Sequence, residues 1–263
     1  GWPGFAVYTL AGDAQNSITV ALHADRADAA GLYLWHEEAW TAFTQRLALV
    51  EGGMLAVIAA FAVYMTALGI LTRVAAARAT AALLGAGFLV LFAEFGYLGA
   101  LLSLPPWWDL VARTIVLSLF ASAVFMLERF FLDSERHSAS LAQATRLMGY
   151  AVLAGIPLAF MTVSGAALYV RVFLAIALIG GAPLVVMAAL RGVRPAQLLI
   201  PGAALFALAG FLAAFHSAGW MPGTFVGTAF NGGVFTTALT LFAFAAAYHA
   251  QGGRRKADIG TLR

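Results

Sequence analysis

The sequence contains no cysteine, which excludes disulfides, thiolate catalysis and cysteine-based metal sites. Charge is scarce: Asp, Glu, Lys and Arg make up 10% of the 263 residues. The single lysine, Lys256, lies outside every apolar run, so a last-span lysine for a retinal Schiff base is missing. No HExxH, GxSxG or phosphate-loop pattern occurs. Histidine is too thinly spread for paired haem ligands or an intramembrane zinc site. His216 alone falls clearly within the apolar runs, and His249 lies at the opposite end. No catalytic residue, metal site or cofactor is expected in this chain.

What is present is apolar residue, at 62% of the chain. A soluble domain of this length cannot hide that much apolar surface, because much of any folded surface faces solvent. Several runs reach the roughly 20 residues that a helix needs to cross a hydrocarbon core of about 30 Å. They are continuous and rich in Ala, Leu, Gly and Phe, whereas a membrane β-barrel would show short alternating segments. Seven spans are expected, at roughly 47–72, 78–102, 107–130, 147–163, 167–190, 196–217 and 224–249. The stretch 147–190 is too long for one helix, and TVSG at 162–165 is the natural place to turn it. Pro157 is expected to kink the fourth span.

Residues 1–40 differ in character. FAVYTLA (5–11) and SITVALHA (17–24) read as strands with a turn between them, and GLYLW (31–35) reads as a third. HEEAWTAFTQR (36–46) then turns helical and leads into the first span. The expected fold class is therefore an all-α polytopic membrane protein. A short extramembrane β segment over 1–40 precedes a seven-helix bundle over 41–250 and a basic tail over 251–263. The opening GWPGF has neither a Met nor a basic-then-apolar leader, so sequence is expected to precede Gly1.

The charges orient the spans. Arg73, Arg78, Arg129, Arg136, Arg146, Arg191, Arg194, Arg254, Arg255, Lys256 and Arg263 all map to one side of a seven-span topology. The short loops on the other side, 103–106, 164–166 and 218–223, hold no Lys or Arg. This asymmetry predicts an outside N-terminus and a cytoplasmic C-terminus. Trp107, Trp108 and Trp220 fall at the outer edge, where amphipathic rings anchor. Topology accounts for the basic residues, and no nucleic-acid partner is expected.

Ionisable residues inside a bilayer are costly, so each needs a partner or a purpose. Glu51, Glu94, Asp109, Arg113, Arg171, His216 and Asn231 come from six different spans, yet all map to the outer third. Glu94 is expected to pair with Arg113 or Arg171 in a polar cluster that opens outward. Two readings of the cluster stay open: an ion pair that fixes helix register, or a pocket for a small molecule or ion. Glu128 and Arg129, with Asp133, Glu135 and Arg136, read as a solvated helix end beside the headgroups. Gly52-Gly53, Gly85, Gly87, Gly202 and Gly210 read as points of close helix approach.

Residues 16–73, from NSITVALHA through LYLWHEEAWTAF to the end of the first span, carry a resemblance. They resemble the passage from ectodomain to first helix in the bacterial seven-transmembrane receptors with diverse intracellular signalling modules. In that family a β-sandwich sensor domain ends in comparable strands and runs without a linker into the first span. The resemblance implies a sensor of the bacterial inner membrane, working as a homodimer. It also implies a small-molecule or carbohydrate-like ligand outside, and a cytoplasmic histidine kinase or diguanylate cyclase output beyond Arg263. It carries over no individual ligand-binding residue. An accessory or scaffold subunit of a membrane complex is the first rival. A small transporter is the second, disfavoured by the odd span count and by the lack of an internal repeat.

Overall fold

The computed structural model describes residues 37–131, 139–190, 194–217 and 225–261. Of the β segment expected over 1–40, residues 1–36 lie outside the described residues and 37–40 belong to the first helix. Helix α1 runs without a break over Glu37–Thr72. It ends in a two-residue turn in which Arg73 takes a left-handed φ of 56°. Gly69 leaves room for the turn, since a Cβ there would stand 2.8 Å from Arg78 Cγ. Helix α2 (Ala75–Glu94) follows and stops at Gly96, whose φ of 78° suits a residue with no Cβ. The expected second span through residue 102 is thus divided, and its last turns form the separate short helix α3 (Tyr97–Leu102).

Helix α4 (Pro106–Phe131) starts on a proline, as suits a first helical position whose N–H would have no partner. The fourth span is compound: α5 (Ala139–Ala151), a 3-10 turn at Val152–Ala154, then α6 (Gly155–Met161). The irregularity falls where Pro157 removes an N–H and crowds the carbonyl four residues back, as the sequence predicts. Tyr169 ties down the kink by donating its hydroxyl to the Ala151 carbonyl at 2.7 Å. The turn expected at 162–165 is a single residue, Thr162, with extended backbone (φ −153°, ψ 105°). Its Oγ1 accepts the Gly165 N–H at 3.3 Å and so caps α7 (Val163–Leu190). Helices α8 (Arg194–Ser217) and α9 (Phe225–Thr261) complete the chain.

Seven of these segments are long and apolar enough to cross a membrane: Glu38–Thr72, Ala75–Glu94, Pro106–Arg129, Ser140–Met161, Val163–Met187, Ala196–Phe215 and Gly227–Ala250. The bundle has a tryptophan end, holding the α2–α4 connection and Thr162, and an arginine end, holding Arg73, Arg129 and Arg194. Helix α4 is the hub, with 61% of its apolar window buried against 17% for α1. It packs on α2, on α5 and α6, and on α7. Helix α9 packs on α8, α2 and α1.

At the centre, Phe120 of α4, Phe206 of α8 and Phe235 of α9 form a triangle with ring centroids 5.3 to 6.1 Å apart. Gly87 admits this packing, since a Cβ there would lie 2.5 Å from Leu239 of α9. Gly202 and Gly210 also sit at close contacts, whereas Gly52, Gly53 and Gly85 face open space, contrary to the sequence reading. Several hydroxyls within the spans are satisfied locally, whereas Thr236 Oγ1 is buried without a partner among the described residues. Thr80, Thr114 and Ser118 each donate to the carbonyl four residues back.

Candidate functional site

Near the tryptophan end, α4 forms the floor of a cleft of about 640 Å³. One wall is α2, with Val90, Ala93 and Glu94, and the other is the start of α7, with Val163, Ser164, Ala167 and Arg171. The floor carries Leu110, Arg113, Thr114 and Leu117. Both walls pack on α4. Arg113 is seven residues into its helix and Arg171 eight, so each lies about 10–12 Å along its helix from the same end of the bundle. Sequence depth alone brings these groups to one level, and the fold gathers them around one opening.

Their pairing differs from the expectation. Arg113 Nε donates to Asp109 Oδ2 at 2.8 Å, one turn earlier on α4. Asp109 is also held from above by α3, since a Cβ on Gly99 would lie 2.7 Å from its Oδ1. That Oδ1 is buried and has no partner among the described residues. Glu94 and Arg171 are exposed on the two walls, and neither makes an ion pair or hydrogen bond among the described residues. An i,i+4 Asp–Arg pair on one helix needs no interhelical geometry, which is why Asp109 captures Arg113 ahead of Glu94.

Glu51 belongs to a different corner. Only 5% exposed, it accepts the Tyr97 hydroxyl at 2.8 Å. This bond ties α1 to the short helix α3 across 46 residues of chain. Burial, this hydrogen bond and the Glu51 charge together push the Tyr97 ionisation up to about 12, so the phenol stays a donor through the physiological range. Asn231 lies on α9, and its Oδ1 is buried without a partner among the described residues. The next residue, Gly232, packs against Phe95 and Met54 of the same corner. His216 is on α8, and its side chain lies outside the described residues. Of the seven residues expected in one cluster, the six whose side chains are described therefore divide between the cleft and the α1–α3–α9 corner.

Sequence reasoning missed Glu128. It is not at a solvated helix end but faces a small pocket of about 50 Å³ between the helices. The other lining residues are apolar side chains of α2, α4, α7, α8 and α9, together with Gly181 of α7. The Glu128 carboxylate lies so close to Gly181 that a Cβ there would overlap it. The signal available in the sequence was Gly180-Gly181 in mid-helix, where only a missing side chain leaves space for an acid from a neighbour.

Seven apolar spans, with α4 the most buried, a charged cleft near one end and no soluble domain among the described residues, define a polytopic helical membrane domain. The family model described as 7TM diverse intracellular signalling matches residues 47–249. The chain belongs to that family, and its seven-helix unit is a signalling-associated transmembrane domain. Neither a curated protein nor a solved structure matches the chain.

Proposed function

We propose that this chain is the transmembrane relay of a bacterial receptor, carrying an extracytoplasmic signal to a cytoplasmic output domain of the histidine kinase or diguanylate cyclase type. The observation that carries this reading is α9. It continues as one helix for eleven residues past the apolar span, from Gln251 to Thr261, through Gly252 and Gly253. Two adjacent glycines would favour a soft joint there; an unbroken helix transmits a shift or rotation better. Helix α1 is likewise continuous from Glu37, ahead of the expected first span at 47, and packs along α9. A rigid entry helix thus lies beside a rigid exit helix.

The arginine asymmetry supports an outside N-terminus and a cytoplasmic C-terminus in the inner membrane. The reading includes a homodimer, as the resemblance implies, and assigns transmission rather than catalysis to the residues described. A ligand moves such a relay only by its differential affinity for two helix arrangements.

The test joins a dimer-dependent kinase output after Arg263 and reads its activity in cells. Substitutions in the α1–α3–α9 corner, such as Tyr97→Phe, are expected to shift the basal output. Output indifferent to every substitution in the bundle would favour the scaffold reading. Solute flux in reconstituted vesicles, abolished by Glu94→Gln, would favour a transporter.

A further inference from the structure

The cleft holds two opposite charges that do not meet. Glu94 stands on α2 and Arg171 on α7, and α4 packs between these walls. Neither charge has a partner among the described residues. Of the Arg113 guanidinium on the floor, Nε is taken by Asp109, which neutralises it. What remains facing the opening is one cationic wall and one anionic wall, over a floor where Leu110 and Leu117 flank the engaged Arg113 and Thr114. Uncompensated charges at this depth are costly, and a helix bundle retains them where a ligand or pathway uses them. The volume of about 640 Å³ falls in the range of small-molecule sites.

We infer that the cleft binds a small zwitterion that bridges the two walls. Its carboxylate or phosphate pairs with Arg171, and its ammonium pairs with Glu94. Its aliphatic part lies on Leu110 and Leu117 of α4. Arginine suits the anionic end because its planar fork of donors matches carboxylate and phosphate oxygens. Thr162 and Ser164, at the start of α7, add hydroxyls beside the Arg171 wall. Trp107 and Met161 line the mouth and are 51% and 81% exposed, so the opening has an apolar lip. The same zwitterion chemistry reaches such a site from two sources, a dissolved amino acid-like or aminophosphate solute and the ethanolamine-phosphate headgroup of a lipid.

Calorimetry on the full chain in nonionic micelles tests the first source, with phosphoethanolamine as the probe. Binding is expected, with inorganic phosphate and ethylammonium each binding more weakly than the zwitterion. Arg171→Gln and Glu94→Gln should each weaken the probe by about tenfold or more, the loss that follows one charge-assisted contact. Both residues are exposed, so neutral variants leave the packing intact. Ala167→Trp narrows the cleft beside the Arg171 wall and should weaken binding without removing a charge.

If phosphoethanolamine gives no heat, thermal stability in nanodiscs tests the lipid source. Phosphatidylethanolamine should then stabilise the chain over phosphatidylglycerol, with the difference lost in Arg171→Gln, Glu94→Gln and Ala167→Trp. Absence of both effects overturns the inference. So does binding unchanged in all three variants, or variants that only dissociate a dimer. Binding is read on the chain alone, so the result stands apart from whether the chain relays a signal.

Discussion

The Tyr97 hydroxyl meets Glu51 Oε2 at 2.8 Å and joins the entry helix to the short helix that follows α2. Glu51 is a buried acid within an apolar span, and this phenol is its hydrogen-bond donor. Tyr97→Phe removes the donor and leaves the carboxylate unsatisfied. The expected cost is about 1–3 kcal/mol in thermal or denaturant unfolding in detergent. Glu51→Gln in the Tyr97→Phe background should cost less than in wild type, because the partners act as a unit. Additive losses would mean that the contact is not energetically coupled.

Asp109 and Arg113 form the ion pair of the cleft floor. Their side chains are 21% and 29% exposed, so solvent screens them only in part. Asp109→Asn and Arg113→Gln should each lower the unfolding midpoint, and the double variant should recover part of the loss. A double-mutant coupling of about 0.5–3 kcal/mol is expected. Coupling between Glu94→Gln and Arg113→Gln should be near zero, since Arg113 is already engaged on its own helix.

Gly181→Ala places a methyl group against the Glu128 carboxylate. Overpacking of this kind costs about 1–3 kcal/mol between packed helices. The same substitution in a Glu128→Ala background should be nearly neutral, because the colliding group is gone. Glu128→Leu by itself should hold or raise the unfolding midpoint, as an apolar replacement does for an acid that has no ion-pair partner among the described residues. A large loss on Glu128→Leu would show that the acid has a structural partner.

Much of this fold was legible in the sequence, for physical reasons. A span needs length and apolarity, both local properties, so all seven spans and the turn near Thr162 could be read directly. The Pro157 irregularity was equally local. What a one-dimensional reading cannot carry is rotation about a helix axis. Consecutive residues differ by about 100°, so Glu128 faces the bundle while its charged neighbours by sequence made it look solvated. The same limit let Gly52, Gly53 and Gly85 pass for contact glycines although they face open space. Depth placed Glu94, Arg113 and Arg171 at one level, but depth does not choose partners. The spacing of Asp109 and Arg113 did contain that information, and Tyr97 was hidden because the break at Gly96 was not visible in an apolar run.

Signal relay through this domain depends most directly on α9 acting as one helix from Phe225 to Thr261. The decisive measurement inserts one to seven residues after Ala250 in the chain joined to a dimer-dependent kinase output. Each added residue rotates everything downstream by about 100° if the helix is unbroken. Output should rise and fall with the helical repeat and return near its starting level at seven residues, which is close to two turns. Output that falls steadily with insertion length, or ignores it, would mean that the Gly252-Gly253 segment does not transmit as a helix, and the relay reading would fail.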